Sequence, residues 1–94
     1  MPKYHVAHVR EQNIDLVIVP LDTHYGDKTE NEQIAFIQEL QFRVQDVGWA
    51  GTVVPVWNDR SGRFKFRAPK NWHPFFGSLN MHVVQRMLNK EIHW

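Results

Sequence analysis

Residues 14–21, Ile14-Asp15-Leu16-Val17-Ile18-Val19-Pro20-Leu21, form a near-continuous apolar run rich in β-branched side chains. A strand with apolar character on both sides needs cover on both, so this run predicts a central strand. Upstream, Glu11-Gln12-Asn13 is a polar turn and Tyr4 to Arg10 reads as a short strand. Downstream, the loop Asp22 to Lys28 carries Gly26 and two aspartates, then meets Thr29-Glu30-Asn31-Glu32, whose Thr-x-x-Glu spacing fits a capping box. A helix is expected from there. At about 100° per residue, Ile34, Phe36, Ile37, Leu40, Val44 and Val47 share one broad arc, and Gly48 stands where a C-terminal cap belongs.

Gly51 to Trp57 reads as a third strand, Asn58-Asp59-Arg60-Ser61-Gly62 as a hairpin turn, and Arg63 to Ala68 as a strictly alternating fourth strand. Pro55 cannot donate to a ladder, which assigns the third strand to a sheet edge. An aromatic loop follows, Lys70-Asn71-Trp72-His73-Pro74-Phe75-Phe76-Gly77. Ser78 is positioned to cap a last helix running through Ile92, on which Leu79, Val83, Val84, Met87, Leu88 and Ile92 fall within the apolar part of the circumference.

The resulting order is ββαββα, one α+β domain over residues 1–94. The expected sheet order is 1-2-4-3 with two helices on one face, a two-layer sandwich that is ferredoxin-like by circular permutation. The other sheet face is then open. A curled antiparallel sheet wrapped on one helix, with the last helix exchanged between subunits, uses the same elements.

A chain of 94 residues buries roughly 60–65% of its unfolded surface, which allows one core but no deep enclosed site. The absence of cysteine removes disulfides, thiolate metal sites and thiol nucleophiles together. Met1-Pro2-Lys3-Tyr4-His5 does not begin a basic-then-apolar leader, and no apolar stretch approaches the roughly 20 residues of a membrane span. A cytoplasmic location without membrane contact is the expectation.

Charge is unevenly distributed. Residues 1–59 hold four Lys/Arg against nine Asp/Glu, whereas residues 60–94 hold seven against one. On the fourth strand Phe64 and Phe66 are needed inward, so Arg63, Lys65 and Arg67 would form a cationic ladder on the open face. Arg60 and Lys70 extend it, and Tyr4 and His8 could add stacking rings, as in sheets that bind single-stranded nucleic acid. The run Gly62-Arg63-Phe64-Lys65-Phe66-Arg67 is similar to the aromatic strand of RNA-recognition domains in its alternation, but not in glycine spacing or in the side its rings face. The competing reading is a solvated face, or one paired with acids of the first half.

Aromatic residues supply two further hypotheses. Phe42 falls opposite the apolar arc of the first helix, and with Trp72, Phe75, Phe76 and Trp94 it could anchor a protein interface. Trp57, Trp72 and His73 could instead line a small-molecule cleft. His5 and His8 point to opposite sides of a strand, and His82 and His93 are about 16 Å apart along a helix, so neither pair chelates a metal by itself. A zinc built from His73, His82 and a distant carboxylate lacks any recognised spacing. Ser61 and Ser78 sit beside turn glycines without a paired base, and no glycine-rich phosphate loop occurs. No cofactor is indicated. The leading reading is a noncatalytic binding module, a homodimer that associates with itself or another protein through an aromatic and sheet-face surface. The alternatives are single-stranded nucleic-acid binding through the basic strand and a small-molecule cleft.

Overall fold

The computed structural model describes residues 3–93. Strand β1 spans Lys3–Glu11 and β2 Ile14–Pro20. They are joined by a two-residue turn in which Gln12 and Asn13 both adopt positive φ, 50° and 64°. Both central residues left-handed is the twist that closes a tight antiparallel hairpin, here with Glu11 opposite Ile14. A 3-10 turn at Thr23–Asp27 leads to helix α1, Glu30–Asp46.

Both ends of α1 are set by local bonds. Thr29 Oγ1 accepts from the Glu32 N–H at 3.2 Å, and Glu32 Oε1 accepts from the Thr29 N–H at 2.9 Å, completing the expected capping box. At the other end Gly48 has φ 83°. The Trp49 N–H reaches the Val44 carbonyl and the Gly48 N–H the Gln45 carbonyl, the paired bonds of a Schellman stop.

Strand β3, Thr52–Asn58, returns beside β2 in parallel, with Leu16 opposite Thr52 and Ile18 opposite Val54. A short β4, Phe64–Phe66, pairs antiparallel with β3. A 3-10 turn at Lys70–Trp72 runs into α2, His73–Gly77, and then come α3, Met81–Met87, and β5, Lys90–His93. The fold is α+β, a five-stranded mixed sheet in the order β4-β3-β2-β1-β5 with three helices.

Four expectations are corrected. The order 1-2-4-3 fails because β2 and β3 are direct neighbours and β4 lies at the edge, so the permuted ferredoxin-like arrangement does not describe this sheet. Pro55 sits in an interior strand and is fully buried. Its carbonyl accepts from the Arg67 N–H at 3.2 Å, so its backbone faces β4 where that short strand ends, and the missing donor costs β2 nothing.

The helices do not share one face. Leu16 and Ile18 pack in one cluster with Ala7, Val54, Phe76 and Val84, under α2 and α3. Val17 and Val19 pack in another with Val6, Val53, Leu40 and Val44, under α1. Alternate side chains of β2 thus enter different cores, and the expected open sheet face is covered.

The last helix ends at Met87 rather than Ile92, and its cap is Asn80, whose Oδ1 accepts from the Val83 N–H, rather than Ser78. Ser78 Oγ donates instead to the Phe75 carbonyl. Beyond it Asn89 starts a strand. Its side-chain amide binds His8 as a peptide would, accepting from the His8 N–H and donating to the His8 carbonyl, each at 2.9 Å. Tyr4 then lies opposite Ile92. Ile92 is buried beneath α1, so this strand contributes to the core and is not available for exchange as a helix.

The connection from α1 into β3 passes Gly51, whose φ is 135° and where an added Cβ would lie 3.1 Å from the Asp15 carbonyl oxygen and 3.2 Å from Val17 Cγ2. Gly51→Ala is expected to lower stability by about 1–3 kcal/mol, through the backbone conformation and the clash together. Gly77→Ala, which meets nothing within 4 Å, serves as the control in the same denaturant titration. Equal midpoints for the two variants would show that Gly51 carries no such constraint.

Candidate functional site

The carboxyl ends of the neighbouring parallel strands β2 and β3 lie side by side, and the segments that leave them face each other across a crevice. The segment after β2 builds one wall. Asp22 Oδ1 accepts from the His24 N–H at 3.0 Å and so opens the 3-10 turn Thr23–Asp27. Tyr25 on that turn is buried, its hydroxyl donating to the Gln33 carbonyl at 3.2 Å. Gln33 Nε2 returns a bond to the Tyr25 carbonyl, also at 3.2 Å. The turn is therefore clamped to the first coils of α1.

Beneath it, Trp57 stacks edge-on with Tyr25, ring centroids 4.8 Å apart. Gly26 rides over the indole, and a Cβ there would come within 2.6 Å of Trp57 Nε1. Across the crevice Asp59 orders the β3–β4 turn, its Oδ1 accepting from the Ser61 N–H, the Ser61 hydroxyl and the Arg63 N–H at 2.9, 2.7 and 2.9 Å. Arg60 closes the two walls together through a two-point contact with the Asp27 carboxylate. That contact raises the Arg60 pKa.

Two clefts flank this loop on the α1 side. One, of about 400 Å³, includes Tyr4, Asp22, His24, Tyr25, Lys28 and Phe36 among its walls. The other, of about 470 Å³, is bounded by Gly26, Asp27, Trp57, Asp59, Arg60 and Lys65 together with Thr23 and Ser61. Both are shallow, as a chain of this size dictates.

The basic strand does not stand free as a ladder. Arg67 is half-buried and donates to Glu30 at 3.1 Å, and Arg60 is held by Asp27. Arg63, Lys65 and Lys70 are exposed. Among the described residues, ion pairs within 4 Å engage none of these three. The rings proposed to join them are committed elsewhere. Tyr4 packs edge-on against Phe36 at 5.8 Å, and burial followed by the Asp22 charge raises its hydroxyl pKa. His8 stacks on Trp49 at 5.8 Å, and its Nε2 lies 2.7 Å from the Ala50 carbonyl oxygen.

The aromatic loop divides in the same way. Trp72 and Phe76 are buried in the core and Phe75 is half-buried against both, so none of the three forms an exposed anchor. Phe42 is 63% exposed, opposite the buried side of α1, and Trp94 lies outside the described residues. The proposed cleft of Trp57, Trp72 and His73 is not assembled. Trp57 faces the α1 side with Tyr25, whereas Trp72 belongs to the core under α2 and α3, and His73 rests against Phe66 at 5.2 Å. The sheet separates them. Among the described residues no group of three or more His, Asp or Glu is arranged to hold a metal ion, and no helix is long and apolar enough to cross a membrane.

The loop residues Asp22, His24, Tyr25 and Asp27 were not singled out by the sequence. Their signal was positional, since they lie between the central apolar run and the capping box, at the carboxyl end of a parallel strand.

The Asp59 carboxyl is held below the ordinary aspartate value by the Ser61 hydroxyl first, then by the Arg63 N–H. The turn's contribution is therefore present at neutral pH and lost as pH falls through this lowered value. An NMR titration of the side-chain carboxyl is expected to show Asp59 titrating below a free aspartate, and Ser61→Ala to move it upward. An unshifted Asp59 in the parent protein would contradict the turn geometry.

No protein-family model, no curated protein and no solved structure matches this chain, so its function has to be inferred from geometry and chemistry.

Proposed function

We propose that the protein is a noncatalytic binding module that forms a homodimer through the outer face of α1. The observation that carries this reading is Phe42, a large aromatic 63% exposed on a well-capped helix. Ile34, Gln38, Phe42 and Gln45 fall within about 80° of helical arc and include no charged residue. Arg43 borders the strip, its guanidinium 5.9 Å from the Phe42 ring centroid and 3.4 Å from Glu39 Oε1. An uncharged strip that carries an exposed aromatic ring and has charged neighbours has the composition of an interface.

A second copy is the occupant this strip suits. Ile34 and Phe42 stand four residues either side of Gln38, so antiparallel packing about a two-fold axis at Gln38 sets each Phe42 against the other copy's Ile34. Ile34 itself is 39% exposed and available for that contact. The sheet faces are covered, so the surface is helical rather than the sheet face expected from sequence.

Sedimentation and thermal melting test this directly. The parent protein is expected to sediment as a dimer and to melt at a temperature that rises with protein concentration. Phe42→Glu should sediment as a monomer, with its α-helical signal retained and its melting independent of concentration. A parent protein that remains monomeric up to about 1 mM would overturn the proposal.

A second reading has a separate observation behind it, the exposed cations Arg63, Lys65 and Lys70. Single-stranded RNA or DNA would be the ligand, held through its phosphates. Fluorescence anisotropy at low salt should then show micromolar binding that weakens as salt rises and disappears in Arg63→Glu/Lys65→Glu/Lys70→Glu. Absence of binding by the parent protein at about 50 mM salt removes this reading.

A further inference from the structure

The cleft beside α1 combines features that select one class of small ligand. Its walls include three aromatic rings from three separate elements, Tyr4 of β1, Tyr25 of the 3-10 turn and Phe36 of α1. Phe36 is the hinge of the group, with the Tyr4 ring 5.8 Å away at 80° and the Tyr25 ring 5.5 Å away at 63°. Rings so inclined turn their faces in different directions, and an aromatic face carries the negative end of the ring quadrupole. A cleft walled this way attracts a cation whose surface is itself apolar.

The rim supplies one carboxylate that a bound cation can use. The Asp22 side chain is 78% exposed and is close enough to Tyr4 to add to the rise in its pKa. It also lies beside His24, with Oδ1 3.8 Å from Nδ1. Lys28 is the opposing charge on the rim. Its field acts on Glu32, whose carboxyl is held low by the Thr29 N–H and hydroxyl first and by Lys28 last. Asp22 is the one carboxylate among the described residues that line the cleft.

We infer that this cleft binds a small organic ammonium ion with a methylated head, its methyl groups against Tyr4 and Phe36, with the buried Tyr25 packed behind Phe36, and its charge balanced by Asp22. A volume of about 400 Å³ accommodates such a cation with part of its substituent. The inference does not rest on the dimer, because Phe36 and Phe42 point about 120° apart on α1.

The test uses choline and its uncharged isostere 3,3-dimethyl-1-butanol, which has the same shape without the charge. Both are titrated into the full chain and followed by amide chemical shifts. Choline is expected to shift amides of residues around Tyr4, Asp22, Tyr25 and Phe36 in a saturable way, and the isostere to bind at least fivefold more weakly. Asp22→Asn, which keeps a side-chain acceptor for the His24 N–H, and Phe36→Leu should each weaken choline binding by roughly 3–30-fold. Lys28→Gln removes the like charge and should strengthen it.

Amide spectra of each variant without ligand establish that it is folded, and Asp22→Asn keeps the test decisive if Phe36→Leu is not. Equal binding of choline and the isostere would reduce the cleft to an apolar groove and overturn the inference. So would saturable binding that neither Asp22→Asn nor Lys28→Gln alters, or the absence of any shift at about 20 mM choline.

Discussion

Strand β2 carries fully buried apolar side chains at four successive positions, Leu16, Val17, Ile18 and Val19, and a pleated strand directs neighbours to opposite sides. Neither side can be left to water. A fully buried aliphatic side chain is worth roughly 1.5–3 kcal/mol, so a sheet with one bare face would forfeit two of the four. The rest of the structure follows from this demand. Helix α1 covers Val17 and Val19, while the α2–α3 segment covers Leu16 and Ile18. The crossover through α1 also returns β3 parallel and adjacent to β2, which fixes where the crevice beyond the strand ends must lie.

The separation of acidic and basic halves along the chain is bridged within the molecule at two places. Arg60 meets Asp27 and Arg67 meets Glu30, each joining a cation of the basic half to an acid of the loop or helix before β3. Such exposed pairs contribute little to stability, because water screens them and long side chains lose freedom in forming them. Their effect is on position. They hold the β3–β4 hairpin against the loop after β2, and among the described residues they leave Arg63, Lys65 and Lys70 as the members of the five-cation ladder outside an ion pair.

The aromatic residues sort by the side of the sheet they occupy. Phe64, Phe66, Trp72, Phe75 and Phe76 fill the core under α2 and α3, where α2 is too short to cover the sheet with aliphatic side chains alone. Tyr4, Tyr25, Phe36 and Trp57 gather on the α1 side at the carboxyl end of β2, where packing is interrupted by the 3-10 turn and clefts remain. Phe42 alone among the described aromatic residues is directed outward from α1 with more than half of its surface in water. One inventory of rings thus serves a core, a cleft and an exposed helix face.

What the sequence determined by itself are the features whose partners lie within a few residues of one another. The capping box of Thr29 and Glu32, the stop at Gly48 and the Asp59 turn are of this kind, because their bonds depend only on local backbone geometry. The outward direction of Phe42 was legible for the same reason, being a matter of helical angle. The tertiary structure decided strand order, the faces taken by the helices and the end of the chain. Lys90–His93 is too short for periodicity to separate strand from helix, and its choice is made by Tyr4 and by the Asn89 bonds to His8, 81 positions away. Pro55 misdirected the reading because a strand offers its backbone groups to alternate neighbours, and only the fold says which neighbour can do without a donor. The cleft of Tyr4, Tyr25, Phe36 and Asp22 was invisible for a like reason, since its walls come from three elements that touch only once α1 has been laid across the sheet.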